Sequence, residues 1–306
     1  MNLVIIGNGF DAENCGLPTR FSDFRNYLIS EYNCNELMPP RFSYNVQQDR
    51  HGEESVPLKD VADLFFALMN DALPYQDLET WGQFESGLGK LDFRQFSTDV
   101  NRVFDRENDE NWGQSNENAQ DNKRSLSLAI EEIPILFNDW VESIDVEKRK
   151  GTNTSFISKG DLILSFNYTK TLETLGFSNV FHIHGRVGES QLIVGHKPII
   201  KKDLENDEFA FQELQNHANE FLEKNCEEII KRNKSFFDKI DNVDNVISCG
   251  FSYSENDEDY IREIIKRLCK DSKWIIREKM YLDSDRKILA RLGFKKEKNI
   301  VYLPTI

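Results

Sequence analysis

The chain has 306 residues, 39% of them hydrophobic and 30% charged, which excludes a disordered or fibrous protein and supplies apolar side chains for a sizeable core. Acidic residues outnumber basic ones 53 to 38, for a net charge of −15. A field of that sign repels a polyphosphate backbone, so broad nucleic-acid binding is not expected. The opening run Leu3-Val4-Ile5-Ile6 is too short for the apolar region of a signal peptide. No apolar run approaches the roughly 18 residues of a membrane helix. Five cysteines, at 15, 34, 226, 249 and 269, form no CxxC pair. The expectation is a cytoplasmic protein with buried or idle thiols and no structural zinc.

In chain order, the short apolar runs that read as strands are Leu3 to Ile6, Leu162 to Phe166, Val180 to Ile183, Leu192 to Val194, Val246 to Cys249, Trp274 to Ile276 and Ile300 to Leu303. Each is bounded by polar or turn residues, the pattern of strands buried on both faces of a mostly parallel sheet flanked by helices. The expected class is α/β and Rossmann-like. Residues 1–30 and 155–306 form the predicted nucleotide-binding domain, and 31–154 a mainly helical insertion after the first strand.

Within the insertion, Leu58 to Leu73 places its apolar residues on one helical face. Ser127 to Val141 reads as a helix that Pro134 should bend or cut. The polar stretch Glu107 to Asp121 and the segment Arg41 to Pro57 read as surface loops. Glu205 to Asp238 reads as one long helix. The region from Arg262 to Lys298 is locally basic, as two solvated helix faces or a docking patch would be.

Four of the strand runs lead directly into polar or glycine-rich turns: Gly7-Asn8-Gly9-Phe10-Asp11, Asn167-Tyr168-Thr169, His182-Ile183-His184-Gly185 and Gly250-Phe251-Ser252-Tyr253-Ser254. In a parallel sheet, the loops at the carboxyl ends of the strands share one edge, where ligands bind. Gly7-x-Gly9-x-x-Ala12 fits a dinucleotide fingerprint, in which glycines let backbone amides approach a pyrophosphate. The proline-containing loop Gly16-Leu17-Pro18 that follows departs from a hydride-transfer dehydrogenase.

This order of motifs, together with Ile193-Val194-Gly195-His196 and the downstream Asp257, resembles the bacteriophage abortive-infection AbiH family over nearly the whole chain. The same motifs are similar to a diverged sirtuin-like fold. By that resemblance Gly7, Gly9 and Pro18 match cofactor-loop positions, Asn167 the catalytic asparagine, His184 the catalytic histidine, and Gly250 and Ser252 the later cofactor turn. Sirtuin deacylases carry a four-cysteine zinc module, where this chain has only Cys226 and Cys249, so acyl-lysine chemistry is not expected. The resemblance to zinc-free sirtuin-like proteins of phage defence implies hydrolysis of NAD, with NAD as substrate and no metal. A phage-derived trigger or homo-oligomerisation is implied, because unregulated NAD hydrolysis would harm the host.

The residue types suit that chemistry. Asn167 can orient a water or a ribose hydroxyl, and His184 can accept a proton. His182 lies two residues earlier and faces the same side if the strand continues straight. Asp11 reads equally as a helix N-cap or a ribose ligand, and Thr169 and Ser252 as N-caps or cofactor contacts. Asn8 and Gly185 belong to the cofactor turns. Trp81 and Glu85, four apart, share a helix face, with Glu85 either solvated or an acid–base group. His196 is a further candidate for the same edge. The readings from other classes are a nucleotide-binding sensor without turnover and a nuclease toxin, which would need a carboxylate cluster for metal.

Overall fold

The computed structural model describes residues 1–35, 44–93, 112–188, 192–198, 209–277, 283–295 and 297–303. These divide into two compact units, Met1–Arg20 with Val141–Ile193 and Asn225–Ile306, and Phe21–Trp140 with Val194–Lys224. The second unit thus takes in residues 21–30 and 194–224, which the sequence reading places with the sheet, and the first takes in residues 141–154, which it places in the insertion. No described helix is long and apolar enough to cross a membrane.

The described strands are β1 (Asn2–Ile6), β2 (Gln47–Gln48), β3 (Glu54–Ser55), β4 (Leu162–Ser165), β5 (Val180–His182), β6 (Asn245–Cys249), β7 (Lys273–Arg277) and β8 (Ile300–Tyr302). In the first unit, six of them form a parallel sheet in the order β5-β4-β1-β6-β7-β8. The chain winds outward from β1 on one side, then returns to β6 and winds outward on the other. This is the doubly wound Rossmann-like arrangement, with its switch point at β1 and β6.

The apolar runs follow from the two-residue repeat of a strand covered on both faces. Leu3 and Ile5 point into one core with Leu164, Tyr260 and Ile261, whereas Val4 and Ile6 point into the other with Phe10, Leu17 and Leu172. Each aliphatic side chain withdrawn this fully contributes about 1.5–3 kcal/mol.

Beyond the strand ends, the pairing of β1 with β6 continues through two glycine turns. Gly7 N donates to Cys249 O at 3.1 Å and Gly9 N to Gly250 O at 2.9 Å. A Cβ on Gly7 would lie 2.4 Å from Gly250 O, and one on Gly250 would lie 2.0 Å from Phe10 N. Gly250 also has φ +62°, a left-handed conformation that glycine adopts without a steric cost. The turns after β1, β4, β5 and β6 all leave the carboxyl ends of parallel strands, so Gly9 and His184 belong to the same edge.

Several sequence expectations are corrected. Leu192 to Val194 forms no strand; Ile193 N instead donates to His184 O at 2.8 Å. Within Arg41 to Pro57, residues 41–43 lie outside the described residues, and β2 and β3 make an antiparallel hairpin. Of the expected loop Glu107 to Asp121, residues 107–111 lie outside the described residues, while 112–121 begin the helix Trp112–Ser143. That helix runs on through Pro134 instead of being cut. The cost of an interior proline, about 3 kcal/mol, is outweighed by packing on either side, where Ile130, Ile133, Phe137 and Trp140 are buried.

The stretch Glu205 to Asp238 is not one helix. Residues 205–208 lie outside the described residues, and the remainder forms Phe209–Leu222, Cys226–Arg232 and Lys234–Phe237. The break has a local cause, because Asn225 accepts from Glu228 N at 3.1 Å and caps a new helix. In the basic region, Arg267 pairs with Glu263 and Asp238, and Arg262 and Arg291 both pair with Glu258. Several of its cations are therefore engaged locally.

The second unit is built on aromatic packing. Phe24 contacts Phe65, Trp81, Phe84, Phe137 and Trp140, with ring centroids 5.1–6.1 Å apart. Trp81 lies ahead of the helix Phe84–Leu88, so Trp81 and Glu85 do not share a helix face. Its backbone has φ +45°, a conformation costing an L-residue about 1–2 kcal/mol, and the fully buried indole holds it there.

The interlocked turns give a stability test. Gly250→Ala is expected to cost about 3 kcal/mol or more in urea unfolding, from overpacking against backbone and a left-handed alanine. Gly160→Ala, whose Cβ meets nothing within 4 Å, should change stability by less than about 0.5 kcal/mol. Equal effects at the two positions would contradict the interlock.

Candidate functional site

The first unit gathers most of the sequence-predicted residues at the carboxyl edge of its sheet. Asp11 sits in a single π-helical turn, Phe10–Asn14, that follows the β1 glycine turn. It is 1% exposed. Thr169, in the turn after β4, donates its hydroxyl to Asp11 Oδ2, and the Thr169 and Thr171 hydroxyls are 2.9 Å apart. Burial raises the Asp11 carboxyl to about 6, opposed by the Thr169, Thr171 and Asn167 side chains and the charge of His182. Asp11 is therefore a buried carboxyl poised near neutrality, and not a helix cap. Thr169 is not a cap either, since it bonds Asp11 and the helix Thr171–Thr174 starts from Lys170.

Asn167 is also buried, with its amide N bonded to Ser165 Oγ at 3.2 Å. Its side-chain oxygen and Asp11 Oδ1 are buried acceptors that meet no hydrogen-bond donor among the described residues. Such groups are rare because each forfeits its hydration.

His182 and His184 do not form one catalytic face. His182 ends β5, and its ring nitrogens lie 2.8 Å from Asn167 O and 3.0 Å from Glu173 Oε1. Burial pushes the Glu173 carboxyl up, but the hydrogen bond and charge of His182, with Arg186, leave it below its ordinary value. His184 follows the strand end, 3% exposed, against the rings of Phe166, Tyr168 and Tyr260. Its Nε2 lies 3.6 Å from Asp257 Oδ1. That spacing is an ion-pair distance without a hydrogen bond in place. Gly185, with φ +83°, supplies the sharp turn immediately after it.

The loop turns have internal duties. The amides of Gly7 and Gly9 are already donated to Cys249 O and Gly250 O, so they are not open to a pyrophosphate as they stand. Asn8 Nδ2 donates to Thr19 O at 2.7 Å and holds the loop carrying Pro18, which is exposed. Ser252 is exposed, and the cap in that turn is Ser254, which accepts from Asn256 N.

Glu85 and His196 belong to the second unit. Glu85 is not a solvated residue: its Oε1 accepts from Lys224 Nζ at 2.9 Å, and the Lys224 side chain is completely buried. His196 exchanges backbone bonds with 222–224, and its Nδ1 lies 2.6 Å from Lys197 O. Burial lowers the basicity of its ring.

Sequence reasoning missed Thr171, Glu173, Arg186, Tyr168, Tyr260 and Lys224. A signal existed for the first two, which continue the turn after β4 as Thr169-x-Thr171-x-Glu173. The others acquire partners only through tertiary folding.

A family model described as "Bacteriophage abortive infection AbiH" matches residues 3–278. The chain belongs to the AbiH family. Membership indicates a role in abortive infection, a defence against bacteriophage. Comparison of this AbiH chain with curated proteins and with solved structures gave no significant match.

Two stability measurements check the local electrostatics of the AbiH chain. The folded state holds the Asp11 proton where the unfolded chain has released it, so ionising Asp11 costs stability as pH rises from about 4 through about 6. Asp11→Asn should therefore gain about 2–3 kcal/mol relative to wild type between pH 4 and pH 7, read from unfolding midpoints. Glu85→Leu leaves the Lys224 charge buried and should cost about 3 kcal/mol, with Lys224→Met in the same chain restoring most of it. No recovery in the double variant would refute the coupling.

Proposed function

We propose that this AbiH protein acts in abortive infection as an NAD glycohydrolase, cleaving the bond between nicotinamide and ribose. The observation that carries the reading is the pair of buried acceptors, Asp11 Oδ1 and Asn167 Oδ1, at the switch-point edge of a doubly wound sheet. Ribose hydroxyls are the donors such acceptors call for.

In the reaction, water oxygen attacks the ribosyl carbon as the carbon–nitrogen bond breaks. The bonding electrons leave with nicotinamide as a neutral base, so no strong general acid is required. The proton lost by water passes to a nearby base. Asp11, raised to about 6 by burial, and His184, beside Asp257, are both suited to accept it. Asn167 orients the water or the ribose through its amide.

A second reading, a nucleotide-binding sensor without turnover, is favoured by one observation: the glycine turns are packed against each other. They then serve the scaffold and require no substrate.

Purified protein mixed with NAD should release nicotinamide, and Asp11→Asn, Asn167→Ala and His184→Ala should each reduce the rate by about 10²-fold or more. NAD that raises the unfolding temperature but stays intact would favour the sensor. A normal NAD level in infected cells undergoing protective death would reject the hydrolase.

A further inference from the structure

We propose that His182 is a positioning residue held as an imidazolium, which clamps the Asn167 turn and places a fixed positive charge beside Asp11. Nδ1 lies 2.8 Å from the backbone oxygen of Asn167, and Nε2 lies 3.0 Å from Glu173 Oε1. A backbone carbonyl only accepts. A Glu173 carboxylate also only accepts, and the Arg186 guanidinium, which cannot lose its proton, donates to the same Oε1, a contact that favours the ionised carboxyl. A neutral imidazole has one N–H and would turn its lone pair towards one of these oxygens. Both contacts are satisfied only when both ring nitrogens carry hydrogen.

Among the described residues, the charged groups facing this ring come from three elements. Glu173 is on the helix Thr171–Thr174, Arg186 is in the turn after β5, and Asp11 is in the turn after β1. Arg186 and Glu173 neutralise each other, so the imidazolium leaves one net positive charge at the cluster. That charge favours ionised Asp11 and opposes the effect of its burial. The same ring bonds the carbonyl of Asn167, which Ser165 Oγ also contacts at 3.4 Å. His182 therefore acts on the candidate site through Asn167 and Asp11 and has no part in touching substrate. Its importance for turnover rests on the NAD reading above, whereas its protonation state does not.

The test is carried out on the full chain without NAD. In protein labelled with 15N-histidine, the His182 ring, assigned by its loss in His182→Gln, should show two protonated nitrogens at neutral pH. A neutral-tautomer signature would overturn the proposal. The Asp11 carboxyl, followed by 13C shifts and assigned with Asp11→Asn, should titrate at higher pH in His182→Gln, which lacks the charge. In His182→Arg, which keeps the charge and two donors, it should return towards the wild-type value. An Asp11 titration that His182→Gln does not move, or that His182→Arg leaves as high as His182→Gln does, would also overturn it. Loss of nicotinamide release with both NMR results intact would bear on the hydrolase reading alone.

Discussion

The close approach of two glycine turns at the centre of the sheet governs the rest of the first unit. The β1 and β6 ladders continue past their strands, so the backbones at Gly7–Gly9 and Gly250 meet with no space for a side chain. This contact fixes where the chain after β1 turns back, and with it the position of Asp11. It also fixes the start of the segment that carries Asp257 towards His184. Glycines that read in sequence as a phosphate cradle are required here by backbone packing, a more demanding constraint on shape.

From that fixed point, the polar chemistry is arranged in two neighbouring environments. One is a hydrogen-bonded cluster in which Asp11, Thr169, Thr171, Asn167, His182, Glu173 and Arg186 balance charge against burial. The other is an aromatic enclosure around His184, with Asp257 just beyond hydrogen-bond distance. In the first, His182 meets an oxygen at each ring nitrogen, whereas in the second His184 packs among aromatic rings, so equal-looking histidines two residues apart acquire different surroundings. Low dielectric strengthens every charge interaction in both.

The strands of the sheet were legible because burial on both faces leaves continuous apolar runs whose ends are marked by polar residues. Leu192 to Val194 has the same composition, but its backbone bonds to the turn at His184, a pairing that depends on residues outside the run. Helix continuity was harder to read. Pro134 marks a local break that packing overrides, while the break before Cys226 depends on Asn225 and on backbone bonds to His196. At the candidate site, Asn167 and His184 could be picked out as unusual residues at strand ends. Asp11 could be seen but not interpreted, because its proton affinity depends on burial in the folded unit and, against that, on Thr169, 158 positions away. Lys224 gave no signal, since nothing in its neighbourhood announces that its charge is withdrawn from water beside Glu85.

A backbone staple joins His196 to residues 222–224. It closes the chain between them into an excursion whose ends are stapled independently of its length. Entropy penalises a longer closed excursion only slowly, by about 0.6 kcal/mol for each doubling. A change in the length of the chain between the two ends therefore costs the folded state little closure entropy.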